Sequence, residues 1–240
     1  MTGYSGANRY AHVRMWVVER AAGLGVPASV ELTCETAVDR LGVGGATLTV
    51  EASPGWPETR YATDRLGAVL AELQLTVAEG PCMDARQDGL VLVADLDARD
   101  AQRRWPLFAP LAVEAGARAL FAFPLSVGTI RVGTLTLHEV HPGQLERATL
   151  TDALAFAELT LRLLLDEQAE LRDEPADSLP LSNPQLHQAT GMIAGQLDVG
   201  MDDAFARLRA RAFAAGRPLA ELAADVVARR LRFEPTEDRT

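Results

Sequence analysis

Two groups of side chains in this sequence have the types and spacings that chemistry needs. The first surrounds a loop, Glu79-Gly80-Pro81-Cys82, followed closely by Asp84 and Asp88. A thiolate at Cys82 could sense oxidants or electrophiles, provided that a neighbouring cation lowers its pKa. No adjacent histidine or basic residue does so, and a small, partly buried cysteine satisfies the same pattern. Asp84, Asp88, Asp95 and Asp97 offer carboxylates for acid–base work, but no nucleophile or metal partner accompanies them. The histidines, His12, His138, His141 and His187, are scattered and lack metal-ligand spacing. Gly42-Val43-Gly44-Gly45 lacks the lysine of a phosphate loop. No catalytic residue, metal or cofactor is assigned.

The second group is arginine-rich. Arg207, Arg209 and Arg211 fall on one helical stretch, and Arg229, Arg230 and Arg232 end the next. Arg207 and Arg211 are four apart and share a helix face, a spacing that can bridge neighbouring phosphates. From the residues alone, a solvated face offset by Asp202, Asp203 and Asp225 is the favoured reading. From residue 180 onward, eight arginines meet eight acids, so the region is not net basic.

These groups must be positioned by a folded chain. A hydrophobic fraction of 48% with 23% charge fits a globular protein rather than a disordered one. The net charge of −10 rules out a generally basic surface, so any nucleic-acid contact comes from a local patch. All 23 basic residues are arginine, and two cysteines are too few for a disulfide framework. Met1–Arg9 lacks the apolar core of a secretory leader, and no apolar run reaches membrane-span length. A cytoplasmic, membrane-free protein is expected.

Apolar periodicity places helices at Ala11–Leu24, from Pro27 to Leu41, at Leu66–Leu75 and at Phe108–Ala115. Strand patterns cover Ala46–Val50, Leu90–Ala94 (apolar enough to be buried on both faces), Ala119–Leu125 and Arg131–Leu137. Ser53–Pro57 reads as a loop, and Val127-Gly128-Thr129 as a hairpin connection. This order is α+β: one antiparallel sheet with helices against it. Gln144–Leu171 is a helix in which Leu150, Leu154, Ala157, Leu161, Leu164, Gln168 and Leu171 alternate steps of four and three. Phe156, Leu159 and Leu163 lie on another side. A homodimer seam through Leu154, Ala157, Leu161 and Leu164 is expected; the competing reading buries the helix within one protomer. Asp173–Pro184, with three prolines among polar residues, marks a linker. Three short helices follow, at Gln185–Leu197, Asp202–Ala215 and after Pro218.

Both halves resemble known families. Leu73-Gln74, Glu79-Gly80-Pro81-Cys82-Met83-Asp84-Ala85, Val93-Ala94-Asp95-Leu96, Arg104-Trp105-Pro106, Pro124-Leu125 and Gly133-Thr134-Leu135 look like the signature of actinobacterial GAF domains, over about 10–165. Residues 166–184 are then the helix end and linker. From 185 to 233, Gln188-Ala189, Gly191-Met192, Val199, Ala204-Phe205, Leu208, Ala212, Leu219, Ala223 and Val226-Val227 resemble the ANTAR module, an all-α three-helix bundle. Thr190 stands where that family usually has a lysine, and Asn183 and Pro184 also depart from its pattern.

The resemblance implies a signal-responsive regulator that binds paired RNA hairpins and controls transcription antitermination. It implies an unknown small-molecule or protein signal at the GAF half, with Glu79, Cys82 and Asp84 as ligand-binding candidates. RNA would meet Thr190, Arg207, Arg209, Arg211, Arg229 and Arg230. The alternatives are a DNA-binding regulator, because two helices around Gly216 could mimic a helix-turn-helix, and a protein-interaction module.

Overall fold

The computed structural model describes residues 3–52, 56–171 and 184–234. The expected linker lies almost wholly outside these residues. The chain divides into two compact units; among the described residues one carries seven helices and five strands in an α+β arrangement, the other three helices.

In the first unit, α1 (Gly3–Leu24) and α2 (Val30–Leu41) precede β1 (Gly45–Ala52) and β2 (Trp56–Ala62). Then come α3 (Arg65–Val77), α4 (Pro81–Asp88), β3 (Val91–Val93), α5 (Arg99–Arg104), α6 (Phe108–Glu114), β4 (Ala119–Val127), β5 (Ile130–Glu139) and α7 (Arg147–Leu171). The five strands form one antiparallel sheet in the order β2-β1-β5-β4-β3. Ser29, rather than Pro27, starts α2: its side chain accepts from Leu32 N at 3.2 Å. Gly42 ends that helix with φ 67°, a left-handed conformation suited to glycine.

Period-two alternation makes the two sheet faces chemically different. Ala46, Leu48, Leu135 and Leu137 join Phe121 and Phe123 on one face, packed with buried side chains of α1, α2 and α7. Thr47, Thr49, Thr134, Thr136 and His138 point the other way and are also buried. That second face lies under α3, whose buried Gly67, Leu70, Ala71 and Gln74 recur at helical spacing.

Three expectations fail here. Residues 53–55 of the expected loop lie outside the described residues, but Trp56 and Pro57 begin a strand, β2, that pairs with β1; Pro57, Glu58 and Arg60 disguise it, as edge strands tolerate such residues. The run at Leu90–Ala94 is not buried on both faces, because β3 is the other edge and Leu92 is 43% exposed. The α7 seam is the third. Ala157 and Leu164 belong to the protomer core with Phe156 and Leu159, whereas Leu154 is exposed and Leu161 half-buried. The stripe Ala153, Phe156, Ala157, Thr160, Leu164 is covered by the same chain's helices and sheet.

The second unit packs α8 (Pro184–Leu197), α9 (Met201–Ala215) and α10 (Leu219–Val227) around Leu186, Ala189, Ile193, Phe205, Leu208, Leu222 and Val226. Gly216, φ 59°, caps α9, and Pro218 then precedes α10. So small a core depends on every large side chain in it.

Candidate functional site

The hydroxyl face of the sheet is a row of cross-strand pairs. Thr47 stands opposite Thr136, Thr49 opposite Thr134, and Gly45 opposite His138. Side chains without a Cβ let the cover come close. A methyl group at Gly67 would fall 2.5 Å from Thr47 Oγ1, and one at Gly45 would strike the His138 ring. Asp64 caps α3, accepting from Gly67 N at 3.0 Å through Oδ1, while Oδ2 lies 3.4 Å from His138 Nε2.

Cys82 enters from the N-terminus of α4. Its N–H donates to Gln74 Oε1 at 2.7 Å, and Gln74 Nε2 donates to Leu70 O at 3.3 Å. Gly80, with φ 125°, lies so close to Gln74 that a Cβ would sit 2.6 Å from its side chain. The Cys82 sulfur is 3.4 Å from Thr49 Oγ1, with the Thr134 and Thr136 hydroxyls also facing it. Burial pushes the thiol above its ordinary pKa, against the opposing pull of the hydroxyls and Arg86. Cys82 is therefore a neutral, 3%-exposed thiol and not a reactive thiolate.

Between α3 and the sheet remains a cavity of about 10 Å³, room for about one water. Thr134 Oγ1, Thr136 Oγ1 and His138 Nε2 are buried without a hydrogen-bond partner among the described residues. Of these, Thr136 and His138 line that cavity and Thr134 does not; each such group costs about 1–3 kcal/mol when left wholly unsatisfied. Burial holds the His138 imidazole below its ordinary pKa, the Asp64 carboxylate acting the other way.

None of the three expected ligand contacts lines this cavity; Cys82 lies beside it, against Thr49 and Gln74. Glu79 Oε2 accepts from Leu107 N at 2.8 Å and Phe108 N at 3.2 Å, fixing the start of α6. Asp84 Oδ2 accepts from Arg104 Nε at 2.7 Å and Trp105 Nε1 at 3.1 Å. Both carboxylates fasten the α4 region to α5 and α6. The threonines and His138 were missed as site residues, although their alternation with apolar residues in two expected strands was visible.

In the second unit, Arg207 and Arg211 are exposed one turn apart on α9. Neither is paired with a carboxylate among the described residues. Arg209 is half-buried, its guanidinium 5.3 Å from the Phe205 ring centre, and burial lowers its pKa. Arg230 donates through Nε to Asp225 Oδ1 at 2.8 Å, and Arg217 reaches Asp225 Oδ2 at 2.9 Å. These cations hold the Asp225 carboxyl below its usual range. Arg229 is exposed, with φ 59° just beyond α10. Thr190 does not belong with them: it is fully buried, and its hydroxyl donates to Leu186 O at 2.8 Å. A residue in the bundle core cannot present itself to RNA.

Among the described residues no cluster of His, Cys, Asp or Glu could hold a metal ion, and no helix is long and apolar enough to cross a membrane.

The first unit thus has the architecture of a GAF domain, and the second is a three-helix bundle. Residues 182–227 match the ANTAR domain family. The fold is similar to the GAF domain of an Acinetobacter phosphoenolpyruvate-protein phosphotransferase, at 9% identity, covering 71% of this chain and 98% of that one, with TM-score 0.51. It is equally similar to the corresponding GAF domain from Coxiella burnetii, at 11% identity, with coverage of 71% and 98% and TM-score 0.51. No curated protein sequence matches the chain.

Proposed function

We propose that this chain is a cytoplasmic, non-enzymatic regulator whose ANTAR unit binds RNA hairpins and controls transcription antitermination, in response to a signal received by its GAF unit. The observation that carries the reading is the ANTAR match over 182–227, combined with an α9 face that keeps Arg207 and Arg211 unpaired and exposed. Guanidinium groups one turn apart can grip successive phosphates and stack on unpaired loop bases. Arg229 extends this basic surface, whereas Arg230 and Arg217 share Asp225 and contribute less net charge. The GAF architecture of the first unit supports a sensing role for it. A homodimer would let two copies read two hairpins; exposed Leu154, with half-buried Leu161, remains available on α7 for such a contact.

A DNA-reading helix-turn-helix is disfavoured by α10, whose exposed first-turn residues Ala220 and Glu221 have no side chain suited to base edges or phosphate. Fluorescence anisotropy with the full chain separates these readings. A two-hairpin RNA should bind at least tenfold more tightly than one hairpin or a DNA duplex. Equal binding of duplex DNA, or no RNA binding, would contradict the proposal.

A further inference from the structure

We propose that the outer face of α1 docks a second copy of this chain, with the two helices parallel and in register. This rests on the reading of the chain as a homodimer and names its contact face. Val13, Val17 and Ala21 turn one side of α1 into the protomer core, where all three are buried. On the opposite side Asn8, Ala11, Met15, Val18 and Ala22 are all exposed, and they follow one another at alternating steps of three and four residues. That is the spacing of a coiled-coil seam, with Asn8, Met15 and Ala22 at the a positions and Ala11 and Val18 at d. Met15 and Val18, the largest side chains of the row, are 46% and 48% exposed, so a single protomer leaves the middle of the seam in water.

Charge and polarity select the occupant. Arg14 falls at the g position beside Met15, and Glu19 at the e position beside Val18. A g side chain reaches the e side chain five residues further along a parallel partner helix, so Arg14 of each copy meets Glu19 of the other, twice by symmetry. Both residues are exposed, and neither is in an ion pair among the described residues. Asn8 points to the same arrangement. In a parallel, in-register pair it faces Asn8 of the second copy, where two amides can hydrogen-bond; an antiparallel pair sets it against an apolar d position or beyond the seam. The face is thus complementary to itself, as a two-fold contact requires. On α7, by contrast, Leu154 is exposed, but Glu158 and Arg162 on the two turns that follow pair with each other at 2.7 Å and are not available to select a partner.

Light scattering on the full chain at micromolar concentration tests the contact. The wild type should have the mass of a dimer and Val18→Glu that of a monomer. Arg14→Glu sets like charges against each other across the seam and should weaken the dimer by about tenfold or more. Adding Glu19→Arg should restore it, which separates a lost ion pair from a damaged helix. Val18→Cys should form an intermolecular disulfide on mild oxidation, because equivalent d positions meet along a parallel seam; the wild type, whose Cys34 and Cys82 are buried, is the control that stays uncrosslinked. A monomeric wild type overturns the proposal. So does a dimer that survives Val18→Glu and falls apart in Leu154→Lys, which would place the contact on α7. A dimer that the charge exchange does not rescue, and in which Val18→Cys stays uncrosslinked, overturns the parallel arrangement. Anisotropy with hairpin RNA on the same samples keeps the two readings apart: a dimer of the expected seam that binds no RNA contradicts the RNA reading alone.

Discussion

The two units handle buried polarity in opposite ways. The sheet unit encloses threonines, a histidine and a cysteine between α3 and β-strands, and three of those groups lack partners. The helical unit has one fully buried polar residue among those described, Thr190, which satisfies itself on Leu186 O within its own helix. Its remaining chemistry is on the outside, in the arginines of α9 and beyond α10. The helical interior is otherwise apolar, and the half-buried Arg209, whose Nε has no hydrogen-bond partner among the described residues, is its exception. The difference is in keeping with the proposed division, sensing in one unit and macromolecular contact in the other.

The sharpest way to break this comparison is to remove the helical core. Leu208→Ala deletes a fully buried side chain, at a cost of about 2–5 kcal/mol. A bundle of three short helices has little more stability than that. We expect residues 184–234 to lose helical protection in hydrogen exchange while the sheet amides stay protected. Simultaneous loss of both would show that the units do not fold separately.

Next in size is Gly67→Ala. The new methyl would press on Thr47 Oγ1 and Asp64 Oδ1, and overpacking of this kind costs about 1–3 kcal/mol. Chemical denaturation of the first unit should record that loss, and a neutral result would mean that α3 sits less tightly on the sheet than described.

His138 offers a subtler test through pH. Burial depresses its folded-state pKa below the ordinary value of 6.5, so the unfolded chain binds the proton more readily. Its contribution is fully present above about pH 6.5 and is lost as pH falls from there toward the folded pKa. Replacing it as His138→Asn should flatten the decline in melting temperature across that window. An unchanged decline would assign the pH dependence to other groups.

The smallest effect belongs to Thr190→Val, which keeps volume and removes only a back-bonding hydroxyl; stability should change by less than about 1 kcal/mol. RNA affinity should not change, since the side chain is buried, and a marked loss of affinity would return Thr190 to the interface.

Much of this arrangement was legible before the fold was known. The tail helices appear within one or two residues of the expected ranges, because their apolar spacing, Gly216 and Pro218 agree with one another. Edge strand β2 was hidden by Pro57 and its charges, and α4 by Gly80-Pro81, which resembles a turn until Pro81 is seen to occupy the first helical position. On α7, periodicity showed apolar stripes but could not say what covers them; Ala157 and Leu164 went to the protomer core. The chamber posed the same difficulty in reverse. Alternating threonines in β1 and β5 suit a solvated face as well as a buried one, and only the placement of α3 over them decides. Glu79 and Asp84 had the right chemistry for ligands, but the backbone N–H groups and side chains that claim them lie about twenty or more residues away.

The helical unit is proposed to present an arginine surface to RNA along α9. This is tested most directly by the affinity of Arg207→Ala with Arg211→Ala for a two-hairpin RNA, measured across a salt series. Both residues are exposed, so the fold should be retained. The account predicts at least a tenfold loss of affinity and a slope of log affinity against log salt that is shallower by about 1.4, two phosphate contacts' worth for single-stranded nucleic acid. Wild-type affinity with an unchanged slope would contradict it.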